Sequence, residues 1–182
     1  PNYLLFMIIG IITAAANKIP EFREIYFQSM NIPVIYYGFI LSVSSFVGAL
    51  LSYNIHKLEV LKAEQFYLAD FLCVLLITML IGNTFNPFIG ILLFVLLTAY
   101  SRNRNTLINC HVLASSPTRE LKATYLSILA FFDALNGIWI PLLLGCLVGE
   151  YGVHRGYGVF GFSLLLLIVI LYVLYLEKIK KR

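Results

Sequence analysis

Apolar residues in this chain come in runs of about twenty, divided by short polar connections. About 20 apolar residues carry a helix across a ~30 Å hydrocarbon core, so each run predicts a membrane-spanning helix. The pattern predicts six, over residues 3–25, 34–53, 65–81, 87–108, 123–148 and 157–176. Short connections predict a compact helical bundle in one domain. Gly82-Asn83-Thr84 and the Gly149 to Gly158 region, including the Gly156-Tyr157-Gly158 triplet, predict turns. Ser116 followed by Pro117 predicts a helix start, with Ser as cap and Pro in the first turn.

The first run is short. Its clean part, Tyr3 to Ala16, rises only ~21 Å as a helix. To cross a bilayer the helix has to continue through Asn17, Lys18, Ile19, Pro20 and Glu21, and Pro20 has to break or kink it. Polar residues and a proline at that depth are tolerated where a helix lines a water-filled cavity. Asn17, Lys18 and Glu21 are therefore candidates for an outer cavity, with the outer headgroup layer as the alternative.

Composition agrees with a membrane-embedded chain. The 182 residues are 60% hydrophobic and 12% charged, about half the ~25% charge of a soluble domain. Lys57, Lys62, Arg119, Lys122 and the tail Lys178, Lys180, Lys181 and Arg182 fall on one side of the predicted bundle. Lys18, Arg23 and Arg155, offset by Glu21, Glu24 and Glu150, fall on the other. The positive-inside rule then places both termini in the cytoplasm of a multi-pass cell-membrane protein. A basic tail of this kind marks the cytoplasmic face rather than nucleic-acid binding. Cys73, Cys110 and Cys146 stand singly, as small apolar residues, without disulfide density or metal-ligand spacing. The chain opens at Pro1 without an initiator Met, basic n-region or cleavage site, which predicts a piece of a longer protein with no signal peptide.

Four charged residues interrupt the runs. On a rise of ~1.5 Å per residue, Asp133 lies ~16 Å beyond Lys122 and Asp70 ~12 Å beyond Lys62, both near mid-membrane. Arg102 and Arg104 lie ~22 and ~25 Å from Pro87, in the cytoplasmic third. Each ion costs roughly 3 kcal/mol or more if it faces lipid, so all four are expected to face inward. Two acids and two bases at similar depth predict pairing, with Arg102 as partner to Asp70 or Asp133. A structural ion pair is the alternative, as is an arginine reaching the inner headgroups; for Arg104 that alternative is favoured.

Asp133 also belongs to a pattern. Asp133, Gly137, Pro141, Gly145 and Gly149 recur every four residues and form one slowly drifting helical stripe. A small-residue stripe is ordinarily a helix-packing seam. Here Pro141 frees the carbonyl of Gly137, one turn from the acid, and Asn136 stands at i+3. The combination predicts a seam that opens into a cavity. Ser44, Gly48 and Ser52 form a second small stripe, which predicts packing.

The segment LKATYLSILAFFDALNGIWIPLLLGCLVGEYG, from Leu121, resembles the fifth helix of the C-terminal half of major facilitator superfamily transporters. The shared features are the basic-Ala-Thr group Lys122-Ala123-Thr124, Leu126-Ser127, a Gly/Pro middle and the stretch Gly145 to Gly152 with an acid before its last Gly. Tyr100 through Arg102, Leu107 and Asn109 resembles the end of the helix before it. Phe27-Gln28 to Ser52 resembles the link into the second helix. Arginine is commoner in the family where Lys122 stands, and glycine often precedes the proline where Ile140 stands. The family has twelve spans in two halves, and this chain matches one. The resemblance implies an all-α half-bundle with a 3+3 repeat. It also implies an N-terminal six-helix half, or a second copy, as partner. The function it implies is ion- or proton-coupled transport, or drug-type efflux, of a small solute. In such folds substrate sits near the midplane between the halves. The candidate residues are Asp133, Arg102, Asn136, Asp70, Arg104, Asn17, Lys18 and Glu21, with Gly137, Pro141, Gly145 and Gly149 shaping the helix. No metal, cofactor or nucleic acid is expected. His56, His111 and His154 sit near span ends without ligand spacing, no phosphate-cradling loop is present, and no enzyme motif stands out. The alternative is a non-transporting six-span protein whose intramembrane charges hold it together.

Overall fold

The computed structural model describes residues 3–54, 63–114, 118 and 120–180, apart from the side chains of 54, 63, 64 and 175–180. The predicted helix start at Ser116-Pro117, His56, and the basic residues Lys57, Lys62, Arg119, Lys181 and Arg182 lie outside the described residues, as do the side chains of Lys178 and Lys180. All regular structure among the described residues is helical.

Helix α1, Tyr3–Lys18, does continue past its apolar run. Pro20 sits at the start of a 3₁₀ turn, Ile19–Phe22, from which α2, Arg23–Ser29, carries on. Proline suits that place because the first residues of a helical turn have no carbonyl to donate to. Together they form a 27-residue apolar path, Tyr3–Ser29. After α2 the chain stops in a Schellman turn. Asn31 takes φ 57°, and the N–H groups of Asn31 and Ile32 donate to the carbonyls of Gln28 and Phe27 at 3.0 Å each. Asparagine tolerates that left-handed backbone, and Pro33 beyond it cannot resume the helix.

Helix α3 spans Ile35–Asn54 and α4 spans Ala63–Asn83. The turn expected at Gly82-Asn83-Thr84 starts later, because α4 runs through Asn83. The Tyr26 hydroxyl meets the carbonyls of Ile81 and Thr84, at 3.2 and 3.1 Å, and covers end carbonyls that the helix leaves open. Asn86 then caps α5, Pro87–Ala114, by accepting from the N–H of Phe88 through Oδ1 at 3.0 Å, with Pro87 in the first turn. Helix α6, Lys122–Tyr151, is followed almost directly by α7, Val153–Lys180. The turn expected across Gly149 to Gly158 therefore reduces to Gly152 alone, at φ 78°. The Gly156-Tyr157-Gly158 triplet is helical. Gly156 lets α7 start against α6, since a methyl there would lie 2.8 Å from the Val148 Cα.

The main packed pairs are α1 with α6, α4 with α7, α3 with α5, and α6 with α7. Backbones nearly touch where glycines allow it. A methyl on Gly82 would stand 2.3 Å from the Gly158 nitrogen, and one on Gly10 would stand 2.7 Å from the Phe132 Cβ. Small residues at helix contacts are what membrane packing favours, since lipid supplies no hydrophobic force between helices. The outward faces are apolar: Val34, Ile35, Phe39, Phe46, Phe131 and Ile138 all lie exposed. Such a surface is tolerated by lipid and not by water.

Among the described residues, five helical segments are long and apolar enough to cross a bilayer: Tyr3–Ser29, Ile35–Tyr53, Gln65–Asn83, Lys122–Tyr151 and Val153–Leu174. The fourth predicted span, 87–108, is helical but does not reach that apolarity. Its second half carries Arg102, Asn103, Arg104 and Asn105.

Candidate functional site

The polar second half of α5 sends consecutive side chains in different directions, because each helical residue turns by about 100°. Arg102 is exposed, and its Nη1 donates to Ser45 Oγ on α3 at 3.0 Å. Asn103 donates to the Gly48 carbonyl on α3 at 2.9 Å and to the Ala99 carbonyl at 2.8 Å. Gly48 thus belongs to the α3–α5 contact that the second small stripe predicts, Ser44 is buried, and Ser52 is exposed.

Arg104 points to α4. Its Nε donates to Asp70 Oδ1 at 2.7 Å and its Nη2 to Oδ2 at 2.5 Å. Tyr100, one turn earlier, donates its hydroxyl to the same Oδ1 at 2.7 Å. Asp70 and Arg104 are 2% and 1% exposed, so the fork-to-fork pair is fully enclosed. This corrects the pairing expected from the sequence. Arg102 is partner to neither acid, and Arg104 is the buried base rather than one that reaches the headgroups. The reason is rotational: two residues along α5 amount to more than half a turn, so the two arginines face α3 and α4 respectively. Replacing Arg102 by Ala is accordingly expected to remove one exposed hydrogen bond and change stability by about 0.5 kcal/mol or less. Urea or SDS titration of the purified variant checks this.

Asp133 is left without a base. It is half-buried on α6, and among the described residues no hydrogen bond or ion pair within 4 Å holds its carboxylate. The opposite charges that act on it are those of Arg104 and Lys18. Arg104 is already committed to Asp70, and Lys18 Nζ lies 2.8 Å from Glu21 Oε1.

Two clefts meet at Asp133. One, of about 350 Å³, is walled by Ala14, Asn17 and Lys18 of α1 and by Asp133, Gly137 and Ile138 of α6. The other, of about 300 Å³, lies towards the Lys122 end of α6 and includes Thr13 of α1, Asn105 and Asn109 of α5, and Asp133. Successive levels of α1 and α6 face each other, Thr13 with Ala130 and Asp133 below, Asn17 with Gly137 above.

The Asp133 to Gly149 stripe borders open space rather than a tight seam. Methyls on Gly137 and Gly145 would meet only the ends of Lys18 and Phe22 at 3.8 Å, and one on Gly149 would meet nothing within 4 Å. The close α1–α6 contact falls on another face, at Gly10 against Phe132 and Asn136. Asn136 belongs to that contact. It is 3% exposed, donates to the Phe132 carbonyl at 2.6 Å and accepts from Trp139 Nε1 at 2.7 Å. It lines neither cleft, and its carboxamide is bonded within α6 beside the Gly10 contact.

Of the sequence candidates, the structure brings together Asp133, Asn17 and Lys18, with Glu21 held to Lys18. It places Asp70 and Arg104 in a separate buried pair, and Arg102 on the α3 side. Thr13, Tyr100, Asn105 and Asn109 were missed. The signal for two of them was present: Asn105 and Asn109 stand four apart, on one face of a helix, at the end of a predicted span. The three cysteines are free. No protein-family model, no curated protein and no solved structure matches this chain.

Proposed function

We propose that this chain is the C-terminal six-helix half of a secondary active transporter of the major facilitator type, moving a small solute across the cell membrane with both termini cytoplasmic. The observation that carries the reading is Asp133: an unpaired carboxylate where two clefts meet, inside a helix long and apolar enough to cross a bilayer and nearer its Lys122 end. An ionisable group inside a membrane bundle that nothing neutralises is costly unless a ligand or proton does so for part of a cycle.

Helix packing supports the same reading. Exchanging α1, α3 and α4 with α5, α6 and α7 turns the α1–α6 contact into α5–α3 and leaves α4–α7 as it is. That is the relation expected of two three-helix repeats of opposite orientation. The α6–α7 contact has no counterpart of similar extent between α3 and α4. In this reading α5 is also a span, the fourth of six in chain order. Its 28 residues reach ~42 Å, and neighbouring helices cover part of its polar half, where Ser101 and Arg104 are buried while Arg102 and Asn109 are exposed. An N-terminal half, or a second copy, would face the clefts and complete the solute path.

The test uses the full-length protein in proteoliposomes, with the solute first found by a thermal-shift screen. Asp133→Asn is expected to abolish gradient-driven accumulation while leaving the amount of protein in the membrane unchanged. Accumulation at the wild-type rate in that variant would remove Asp133 from the mechanism.

A second reading fits one part of the molecule. The enclosed Asp70–Arg104–Tyr100 cluster has no free face towards either cleft, and for those residues a structural role is the better account. A protein whose clefts take up no solute under any imposed gradient would extend that account to the whole chain.

A further inference from the structure

We infer that the cleft at the Lys122 end of α6 is a binding site for a small alkali cation, Na⁺, held by Asp133, Asn105 and Thr13. The starting point is charge. Asp133 contributes one negative charge, and the two bases that act on it are each bound to another acid, Arg104 to Asp70 and Lys18 to Glu21. The cleft wall itself carries no base.

The second observation is the set of side-chain oxygens carried by residues that line the same cleft as Asp133. Asn105 Oδ1 is buried and has no hydrogen-bond partner. A buried carbonyl oxygen left open in this way costs about 1–3 kcal/mol unless something positive meets it. Thr13 spends its hydroxyl proton on the Ile9 carbonyl, at 2.7 Å, so its oxygen has only lone pairs left to offer. Asn109 adds a further carboxamide one turn from Asn105. The donors come from α1, α5 and α6, so a ligand here would tie three helices together.

What this set lacks is a small positive charge. Hard oxygen ligands select alkali and alkaline-earth ions over thiolate- or imidazole-binding metals. Among the described residues no group of three or more His, Cys, Asp or Glu side chains could hold a metal ion of that other kind. One carboxylate balances one charge, whereas calcium sites typically gather several. A volume of about 300 Å³ also leaves room for the ion to keep some of its water. Since Asp133 belongs equally to the cleft with Asn17 and Lys18, a cation bound below would neutralise the acid that a solute meets above. That coupling rests on the transport reading; the binding site itself does not.

The test is binding to the full-length protein in lipid nanodiscs. Thermal unfolding is followed as NaCl replaces choline chloride at constant ionic strength, at pH 6 and pH 8, and ²²Na⁺ binding is measured directly. The wild type is expected to show a saturable rise in Tm with Na⁺ and none with choline. Acid should weaken the response, because a proton competes for Asp133. Asp133→Asn should lose it, and Asn105→Leu should need about tenfold more Na⁺. Should Asp133→Asn fail to accumulate, Asn105→Leu and direct ²²Na⁺ binding decide the matter. An equal Na⁺ response in Asn105→Leu, or a wild-type Tm that follows pH and ignores Na⁺, overturns the site. Proton-driven uptake without any Na⁺ effect would sink the cation site and keep the transporter. Na⁺ binding without gradient-driven uptake of any solute would do the reverse.

Discussion

Arg104→Ala is expected to cost about 3–5 kcal/mol and to empty the membrane of folded protein. The substitution strands the Asp70 carboxylate, 2% exposed, with only the Tyr100 hydroxyl to meet it. Folded proteins have only ~5–15 kcal/mol in hand, so a loss of this size removes a large share of the margin. Asp70→Ala should behave similarly, leaving the guanidinium unmatched. Removing both charges together should hurt much less. An Asp70→Leu, Arg104→Met double variant replaces a buried pair with apolar groups, a change that is often neutral or stabilising. The measurement is abundance in the membrane fraction, with SDS titration of whatever can be purified. Single variants at wild-type abundance, or a double variant worse than either single, would contradict a buried ion pair as the anchor between α4 and α5.

Gly82→Val is expected to rank next, at about 1–3 kcal/mol or more. Its first carbon would stand 2.3 Å from the Gly158 nitrogen and 2.6 Å from the Gly158 Cα. Both obstacles are backbone, which cannot swing aside as a side chain can. The only relief is to part α4 from α7, which are among the most extensively packed helices here, and to give up dispersion contacts along their length. Gly149→Ala provides the contrast. It adds a methyl to a helix where nothing lies within 4 Å, and alanine is the better helix former by up to ~1 kcal/mol. It should be neutral or mildly stabilising. Thermal unfolding of the two variants side by side separates a true helix contact from a stripe of small residues bordering a cleft. A destabilised Gly149→Ala together with an unaffected Gly82→Val would reverse the assignment.

Much of the helical layout was legible without coordinates. Runs of about twenty apolar residues dictate helices, since backbone groups in lipid must bond within their own segment. The interruption of the α-helix at Pro20, seen as a 3₁₀ turn, followed from the missing N–H of proline. The reading of Asp133 as an acid beside a cavity also came from local facts: the four-residue recurrence and the carbonyl that Pro141 frees.

Other features were not legible in that way. Helix ends near glycine were misjudged: Gly82, Gly156 and Gly158 look like turn residues in the sequence, yet they serve helix contacts. Gly is used both for positive φ and for close approach, and only a neighbouring backbone distinguishes the two uses. The α5 arginines were assigned by depth alone. Depth along a helix follows from residue count, but direction depends on which face meets which neighbour, and here it sent Arg102 to Ser45 and Arg104 to Asp70. Asn136 and Asn105 make the same point. Both are asparagines in apolar helices, yet one is bonded on both sides at the Gly10 contact and the other keeps a bare oxygen in a cleft.

The sequence by itself determined the helical class, the apolar runs, of which five of the six predicted are apolar enough to span among the described residues, and the placing of charges at particular heights along them. Those depend on local hydrophobicity and on the fixed rise per residue. The tertiary structure decided which charges neutralise one another and which one is left over. Ion pairing depends on distances between helices, and nothing in the order of residues along one helix specifies them.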